Sequence, residues 1–361
     1  MLSNKAALRG VLTLAMLGVF VWQGCPSPDD PGVGDPVPET ILFATPDDGS
    51  VACYRIPALE TVNGVLLAAI DERVPSCGDL RHSRDINILL RRSMDGGFSW
   101  SDPARVFDYP DGIAASDASF IVDHERGRVF MLVNVMDHDE APGEYRFHII
   151  HSDDAGASWS APRDITDEVA PVDWRSDFKF ITSGHGTQAP DGTLLHTVVN
   201  LQRGVFVLMS EDAGASWSLA PSPVTPGDES KIVAFNNGRW MVNSRVANAG
   251  HRWVHVSKDR GQTWDSRPDS ALVDPAVNAS LIQTEEGLLY VGANHPAERR
   301  NLVMRLSTDD GLTWSPGTVI HDGSAAYVSA AALPDGDVGL FYERNEYAEN
   351  VFSIIPTQSL R

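Results

Sequence analysis

The chain has 361 residues, with 28 Lys and Arg against 49 Asp and Glu and a formal charge of −21. So acidic a protein is a poor partner for nucleic acid and offers an anionic substrate no long-range attraction, so a site for one must build its positive field locally. With 42% hydrophobic residues the chain can bury a sizeable core, as one large domain or as two of ordinary size.

Residues 1–24 carry Lys5 and Arg9, then the apolar run from Gly10 to Trp22, then Gly24 before Cys25, and no acidic residue. This is the pattern of an export signal. Its apolar stretch of about 13 residues is shorter than the ~18 to 20 that a membrane-crossing helix needs, so cleavage is expected in place of a stable span. Gly24-Cys25 resembles a bacterial lipoprotein processing site, although Trp22 stands where a small aliphatic residue is usual. The expectation is attachment to a membrane through acylated Cys25, with a plain secreted or periplasmic form as the alternative. Residues 25–40 then read as a Pro-, Asp- and Gly-rich tether, and the folded domain as 41–361. Removing residues 1–24 moves the formal charge from −21 to −23. Cys53 and Cys77 are left beyond Cys25, and two leftover thiols in an oxidising compartment are expected to pair; the alternative is two separate buried thiols.

Beyond the tether the strongest signal is self-similarity. Ser-x-Asp-x-Gly-x-Ser/Thr-Trp occurs five times, as SMDGGFSW from Ser93, SDDAGASW from Ser152, SEDAGASW from Ser210, SKDRGQTW from Ser257 and STDDGLTW from Ser307. The starts are 59, 58, 47 and 50 residues apart, a spacing that suits one four-stranded propeller blade per copy. Each copy follows a short apolar or alternating run that reads as a strand, such as Ile86 to Leu90 or Leu302 to Leu306. The Asp and Gly then form a tight turn, and the Trp is expected to pack back under the hairpin. Asp95, Asp154, Asp212, Asp259 and Asp309 are therefore structural. No helical period longer than about ten residues stands out. The expected fold is all-β, a six-bladed β-propeller with five such turns and a last blade closed by strands from both ends of the domain.

Such propellers serve many purposes, so activity must be read from the residues between the repeats. Tyr54-Arg55-Ile56-Pro57, one strand before Asp71-Glu72-Arg73, resembles the opening of the bacterial and animal sialidases, and the resemblance continues to Glu343. It implies an exo-acting enzyme that removes terminal α-linked sialic acids, with retention, from glycoproteins, gangliosides or oligosaccharides. It also implies that Arg55, Arg245 in NSR and Arg299 in RRNL clamp the substrate carboxylate, with Arg300 a solvated neighbour. Guanidinium suits that task because it offers paired planar donors and stays charged.

Glu229 in DES and Tyr327 in AAYVS match the family's nucleophilic pair. A tyrosine is sensible at an anomeric centre that carries a carboxylate, because an anionic nucleophile would be repelled. Asp79 in SCGDLRHS matches the acid/base carboxyl, a task that calls for shielding from solvent; Asp85 in RDINILL competes for it but reads as a strand-edge residue. Arg73 and Asp117 match contacts on the sugar's 4-hydroxyl side, with a turn Asp as the alternative at 117, and Glu343 matches a carboxylate that steadies Arg55. His185, in GHGTQ, matches a residue lining the central funnel. No phosphate loop, dinucleotide motif or metal-ligand spacing occurs, so no cofactor or metal is implied. The expected partners are sialylated glycoconjugates, met by a monomer. Three rivals share these residues: a sialoglycan-binding propeller without catalysis, an enzyme for a related nonulosonic acid, and a transferase. Cys53 precedes Arg55 by two residues and Cys77 precedes Asp79 by two, and period-two alternation puts Cys53 on the strand face of Arg55, so a bridge would restrain the acid/base loop against that arginine.

Overall fold

The computed structural model describes residues 39–357. The proposed export signal, Cys25 and nearly all of the tether lie outside the described residues. What is described is all-β: five hydrogen-bonded sheets, with a longest α-helical segment, Thr166–Val169, of four residues.

The first sheet is a meander of Cys53–Val62, Val65–Arg73, Ile86–Ser93 and Ala104–Phe107, and the second begins with Ile113–Asp123, Arg128–Asp137 and Arg146–Ser152. The third is built on Leu194–Asn200 and Gly204–Ser210, and the fourth on Ser230–Ala234, Trp240–Ser244, His251–Ser257 and Asp265–Val273. The last is a seven-stranded path from Ser280–Thr284 to Glu349–Ile355, ending on Glu39–Ala44. Its long strand Thr318–Ala332 is shared, since its first part pairs with Arg300–Ser307 and its second with Val338–Arg344. Glu39–Ala44 pairs antiparallel with Glu349–Ile355, so the two ends of the described chain lie side by side.

Apolar surface between sheets holds them together. Val65–Arg73 is buried at every position, as a strand covered on both faces must be. One cluster packs Leu67 and Leu90 of the first sheet against Phe120 and Met131 of the second, and another joins Leu59 and Ile70 to Phe341 and Phe352.

All five repeats fold into one kind of turn. In each, the Gly N–H donates to the Ser Oγ at 2.8 Å and the Ser Oγ donates to the Asp carboxylate at 2.7 to 2.9 Å. The Asp also accepts from the following Ser or Thr hydroxyl, and these bonds hold Asp95, Asp154, Asp259 and Asp309 down to about 2. Their carboxylates are thus consumed by the turn, in keeping with a structural reading. The tryptophans fold back on their own turns, Trp100 Nε1 donating to Gly97 O at 3.0 Å, and also reach beyond them: Trp100 meets Phe352 edge-on at 5.0 Å and Trp217 meets Phe130 at 5.9 Å, both on neighbouring sheets. Gly97 explains why glycine is needed in the turn, because a Cβ there would stand 2.3 Å from the Phe352 ring.

Candidate active site

Four strands break register on the way to the site. The shifts fall between Arg55 and Ala58, Ser116 and Ser119, Arg300 and Leu302, and Ala325 and Val328. At three of them Ile56, Asp117 and Asn301 adopt φ of 65°, 63° and 61°. A bulge adds a residue to one strand and re-aims the side chains around it. Left-handed backbone at a β-branched residue is costly, so Ile56 marks a place where the fold enforces strain beside Arg55.

The redirected side chains line a cavity of about 320 Å³ that includes Arg55, Asp79, Asp117, Glu229, Arg245, Arg299 and Tyr327. Tyr327 Oη donates to Glu229 Oε1 at 2.6 Å, and the other carboxylate oxygen of Glu229 takes Arg245 Nη1. Burial, then the Glu229 charge, holds the Tyr327 hydroxyl well above the usual phenol range, so it is a neutral phenol with an acceptor in place. Glu343 is a second anchor. It accepts from Arg55 Nε at 2.6 Å, from the Ile56 N–H at 2.9 Å and from the Tyr327 N–H at 3.1 Å. Burial opposes the charge on Arg55 and Arg245, but the surrounding acceptors together outweigh it, led by Glu343 at Arg55 and by Glu229 at Arg245, and both guanidiniums are raised. Arg299 lies 5.6 Å from the Tyr327 ring centroid, whereas Arg300 points elsewhere and pairs with Glu298 at 2.8 Å.

Two placements, those of Asp79 and Arg73, differ from the sequence reading. Asp79 lines the cavity, but its side chain is 81% exposed, because the loop that carries it ends at the rim; the chain alone does not shield it. Arg73 is 1% exposed and turned inward, its guanidinium bonded to Asp71 at 3.0 Å and to Asp79 at 2.8 Å. It supports the site from behind. His185 is buried against Ser280 Oγ at 2.9 Å and lines a separate cavity of about 520 Å³ with Glu60 and Gln283. Asp85 sits just ahead of Ile86–Ser93, accepting from Asn87 at 3.1 Å, as a strand-edge residue should.

Asp117 joins the cavity with its N–H on Asp71 Oδ1 at 3.0 Å, and burial, then Asp71, pushes its carboxyl up to about 8. Cys53 and Cys77 are joined by a disulfide with their Cα atoms 5.6 Å apart, tying the Asp79 loop to the strand of Arg55. Among the described residues no group of three or more His, Cys, Asp or Glu could hold a metal ion.

Sequence reasoning missed Tyr347, whose ring lies 4.1 Å under the Arg55 guanidinium and whose hydroxyl accepts from Arg299 at 3.3 Å. It stands at the end of three consecutive left-handed residues, Asn345 to Tyr347, which no local pattern announces. An aromatic wall was missed too: Tyr145, Phe178 and Phe180 line the cavity, with Phe178 4.9 Å from Tyr145 and 5.7 Å from Phe180. The alternation in Phe178-Lys179-Phe180 was its available signal.

Residues 66–340 match the family model described as a BNR repeat-like domain. The chain is 34% identical over 329 residues to a sialidase of Micromonospora viridifaciens, covering 80% of this chain and 50% of that protein. It is 29% identical over 335 residues to a sialidase of Bacteroides fragilis, covering 82% and 61%. The chain thus spans between half and about three-fifths of the length of these relatives. Among solved structures, the Hadza microbial sialidase Hz136 superposes with a TM-score of 0.79 at 24% identity, over 87% of this chain and 68% of that one. A leech intramolecular trans-sialidase does so at 0.74 and 18% identity, over 89% and 70%. With a family model matched over most of its length, the chain belongs to the BNR repeat-like proteins.

Proposed function

We propose that the chain is an exo-α-sialidase that hydrolyses terminal α-linked sialic acids with retention of configuration. The observation that carries this reading is the buried Tyr327–Glu229 hydrogen bond of 2.6 Å in a cavity that also holds Arg55, Arg245 and Arg299. Three guanidiniums in one small cavity of a strongly acidic protein are the local positive field an anionic sugar needs. Arg55, Arg245 and Arg299 hold the carboxylate. Tyr327 Oη attacks the anomeric carbon as its proton passes to Glu229, and Asp79 protonates the departing glycosidic oxygen. Asp79 then takes a proton from water, whose oxygen displaces the tyrosine; the proton on Glu229 returns to Tyr327. A bound glycoside covering the rim supplies the shielding that Asp79 lacks by itself.

The finer fold reading, a six-bladed propeller with the site at one end of its axis, is supported by the apolar clusters. They link the first sheet to the second, the second to the third, the third to the fourth, the fourth to the Ser280 strands, those to the final strands, and the final strands to the first sheet. Export, acylation at Cys25, a tether over residues 25–40, action as a monomer and sialylated glycoconjugates as natural partners complete the proposal.

The test is to incubate the protein with α-linked sialosides and follow the released sugar by proton NMR. The α-anomer should appear first and then mutarotate. First release of the β-anomer, or binding without release, would overturn the reading, and transfer to added lactose in place of water would redirect it to the transferase.

A further inference from the structure

Lys231 is a buried cation that the proposed chemistry leaves unused. Its side chain sits in Ser230–Ala234 at 1% exposure, where lysine is almost never found without a partner. Its Nζ donates to Ser183 O at 2.6 Å and to Asn278 Oδ1 at 2.8 Å, both neutral acceptors. Asn278 is fixed in turn, donating to Ser183 Oγ at 2.8 Å. Gly184 leaves the room required, since a Cβ there would stand 3.3 Å from Lys231 Cε and Nζ. Segments from three parts of the chain thus cradle one ammonium.

Neutral acceptors alone do not compensate the desolvation of an ion, so a negative charge must act on it from farther away. Glu229 does so. It lies two residues earlier, where the chain enters the strand, and its charge favours the protonated lysine. The other groups facing Lys231 are Arg252, His185 and His196. Arg252 is paired with Asp274 at 3.2 Å, and burial keeps the histidines neutral, held down to about 4 and about 3.

We propose that Lys231 is a positioning residue for the Tyr327–Glu229 pair: its cradled ammonium fixes the strand next to Glu229 and favours negative charge on the pair. This rests on the sialidase reading above. Tyr327 can attack only while the pair carries a negative charge to receive its proton, and a nearby buried cation makes protonation of the pair harder. Lys231 therefore extends activity toward acid pH. Its own proton, which burial brings down to about 7, is in place throughout that range.

The experiment is the pH profile of kcat/KM on a fluorogenic α-sialoside for wild type and Lys231→Met, with thermal melts of both. In the variant the acid limb should move up by about one pH unit, an approximately tenfold relative loss at acid pH, with less than about threefold loss near pH 7. An equal loss at every pH means a merely structural lysine and overturns the proposal. Should Lys231→Met not fold, Asn278→Asp keeps the ammonium but sets a carboxylate on it, cancelling its field, and should shift the limb in the same direction; an unchanged limb there overturns the proposal as well. A wild type that hydrolyses no sialoside instead overturns the sialidase reading, a result separable from both.

Discussion

Arg55 and Glu343 stand 288 positions apart in the chain and 2.6 Å apart in space. The same carboxylate also holds the Ile56 and Tyr327 N–H groups, so one buried side chain sets the first arginine, the strained residue after it and the backbone of the proposed nucleophile. Glu343→Gln removes the charge opposite a guanidinium whose side chain is 13% exposed. Leaving a buried charge uncompensated costs about 3 kcal/mol or more. The variant should melt lower and lose about 10²-fold in kcat/KM, through KM more than through kcat, because a clamp that wanders binds the carboxylate poorly. Steady-state kinetics with an unchanged KM would show that Arg55 is held by other contacts.

Tyr327→Phe deletes the hydroxyl and little volume, so the fold should stand while turnover of natural sialosides falls by about 10³-fold or more. Residual activity above about a tenth of wild type would remove Tyr327 from the nucleophile's role. Asp79→Ala should cost about 10² to 10⁴ on natural substrates and far less on sialosides with acidic leaving groups, which need little proton assistance. Equal losses on the two substrates would remove Asp79 as the acid.

How much of this was legible follows from what each feature depends on. The five turns were readable because one Asp and one Gly do local work that recurs every 47 to 59 residues, and the strands before them because they alternate. Arg55, Glu229, Arg245, Arg299, Tyr327 and Glu343 were reached through resemblance, and the structure brings them into contact around one cavity. Arg73 was named through the same resemblance, but its inward turn was out of reach, because it depends on Asp71, a buried carboxylate that also accepts from Ser116 at 2.7 Å and from the Asp117 N–H. The bulges at Ile56, Asp117 and Asn301 were equally hidden, since pairing partners from distant segments decide where a ladder slips.

Asp117 carries a pH dependence with a definite sign. Its folded carboxyl is pushed up to about 8 by burial and Asp71, against about 3.9 in an unfolded chain. Between those values the folded state holds a proton that the unfolded state has lost, so its contribution is present below about pH 4 and is lost as pH rises toward 8. Asp117→Asn should therefore gain Tm relative to wild type progressively across that window, by about 2 to 4 °C for each kcal/mol in a domain of this size. It should also bind sialosides less well. His185 and His196, held down by burial to about 4 and about 3, give the opposite slope below about pH 6.5, but they are common to both proteins and cancel. A difference in Tm that does not grow with pH would mean that Asp117 is ionised in the folded protein.

The acylation reading stands or falls at Cys25. Wild-type protein expressed in a bacterial host should take up a fatty-acid probe and fractionate with membranes, and Cys25→Ser should do neither. Labelling of both proteins or of neither would reject acylation there.

The Cys53–Cys77 bridge closes a separation of 24 residues and anchors the chain two residues before Asp79. On a chain-entropy argument such a closure stabilises by about 3 kcal/mol. Its local effect is more telling. Arg73 Nη1 donates to the Cys77 carbonyl at 3.0 Å and to Asp79 at 2.8 Å, so the bridge and this buried guanidinium hold the loop from two directions. Cys77 is exposed while Cys53 is buried in the strand of Arg55, so a reductant reaches the bridge from the loop side without opening the sheets. Reduction should then loosen Asp79 before it unfolds the domain. In a dithiothreitol titration, hydrolysis of natural sialosides should fall first, activity on acidic leaving groups should persist longer, and tryptophan fluorescence should change last. Loss of all three at one concentration would make the bridge a global staple, and two free thiols in addition to Cys25 in denatured, unreduced protein would mean that packing and Arg73 alone hold the loop.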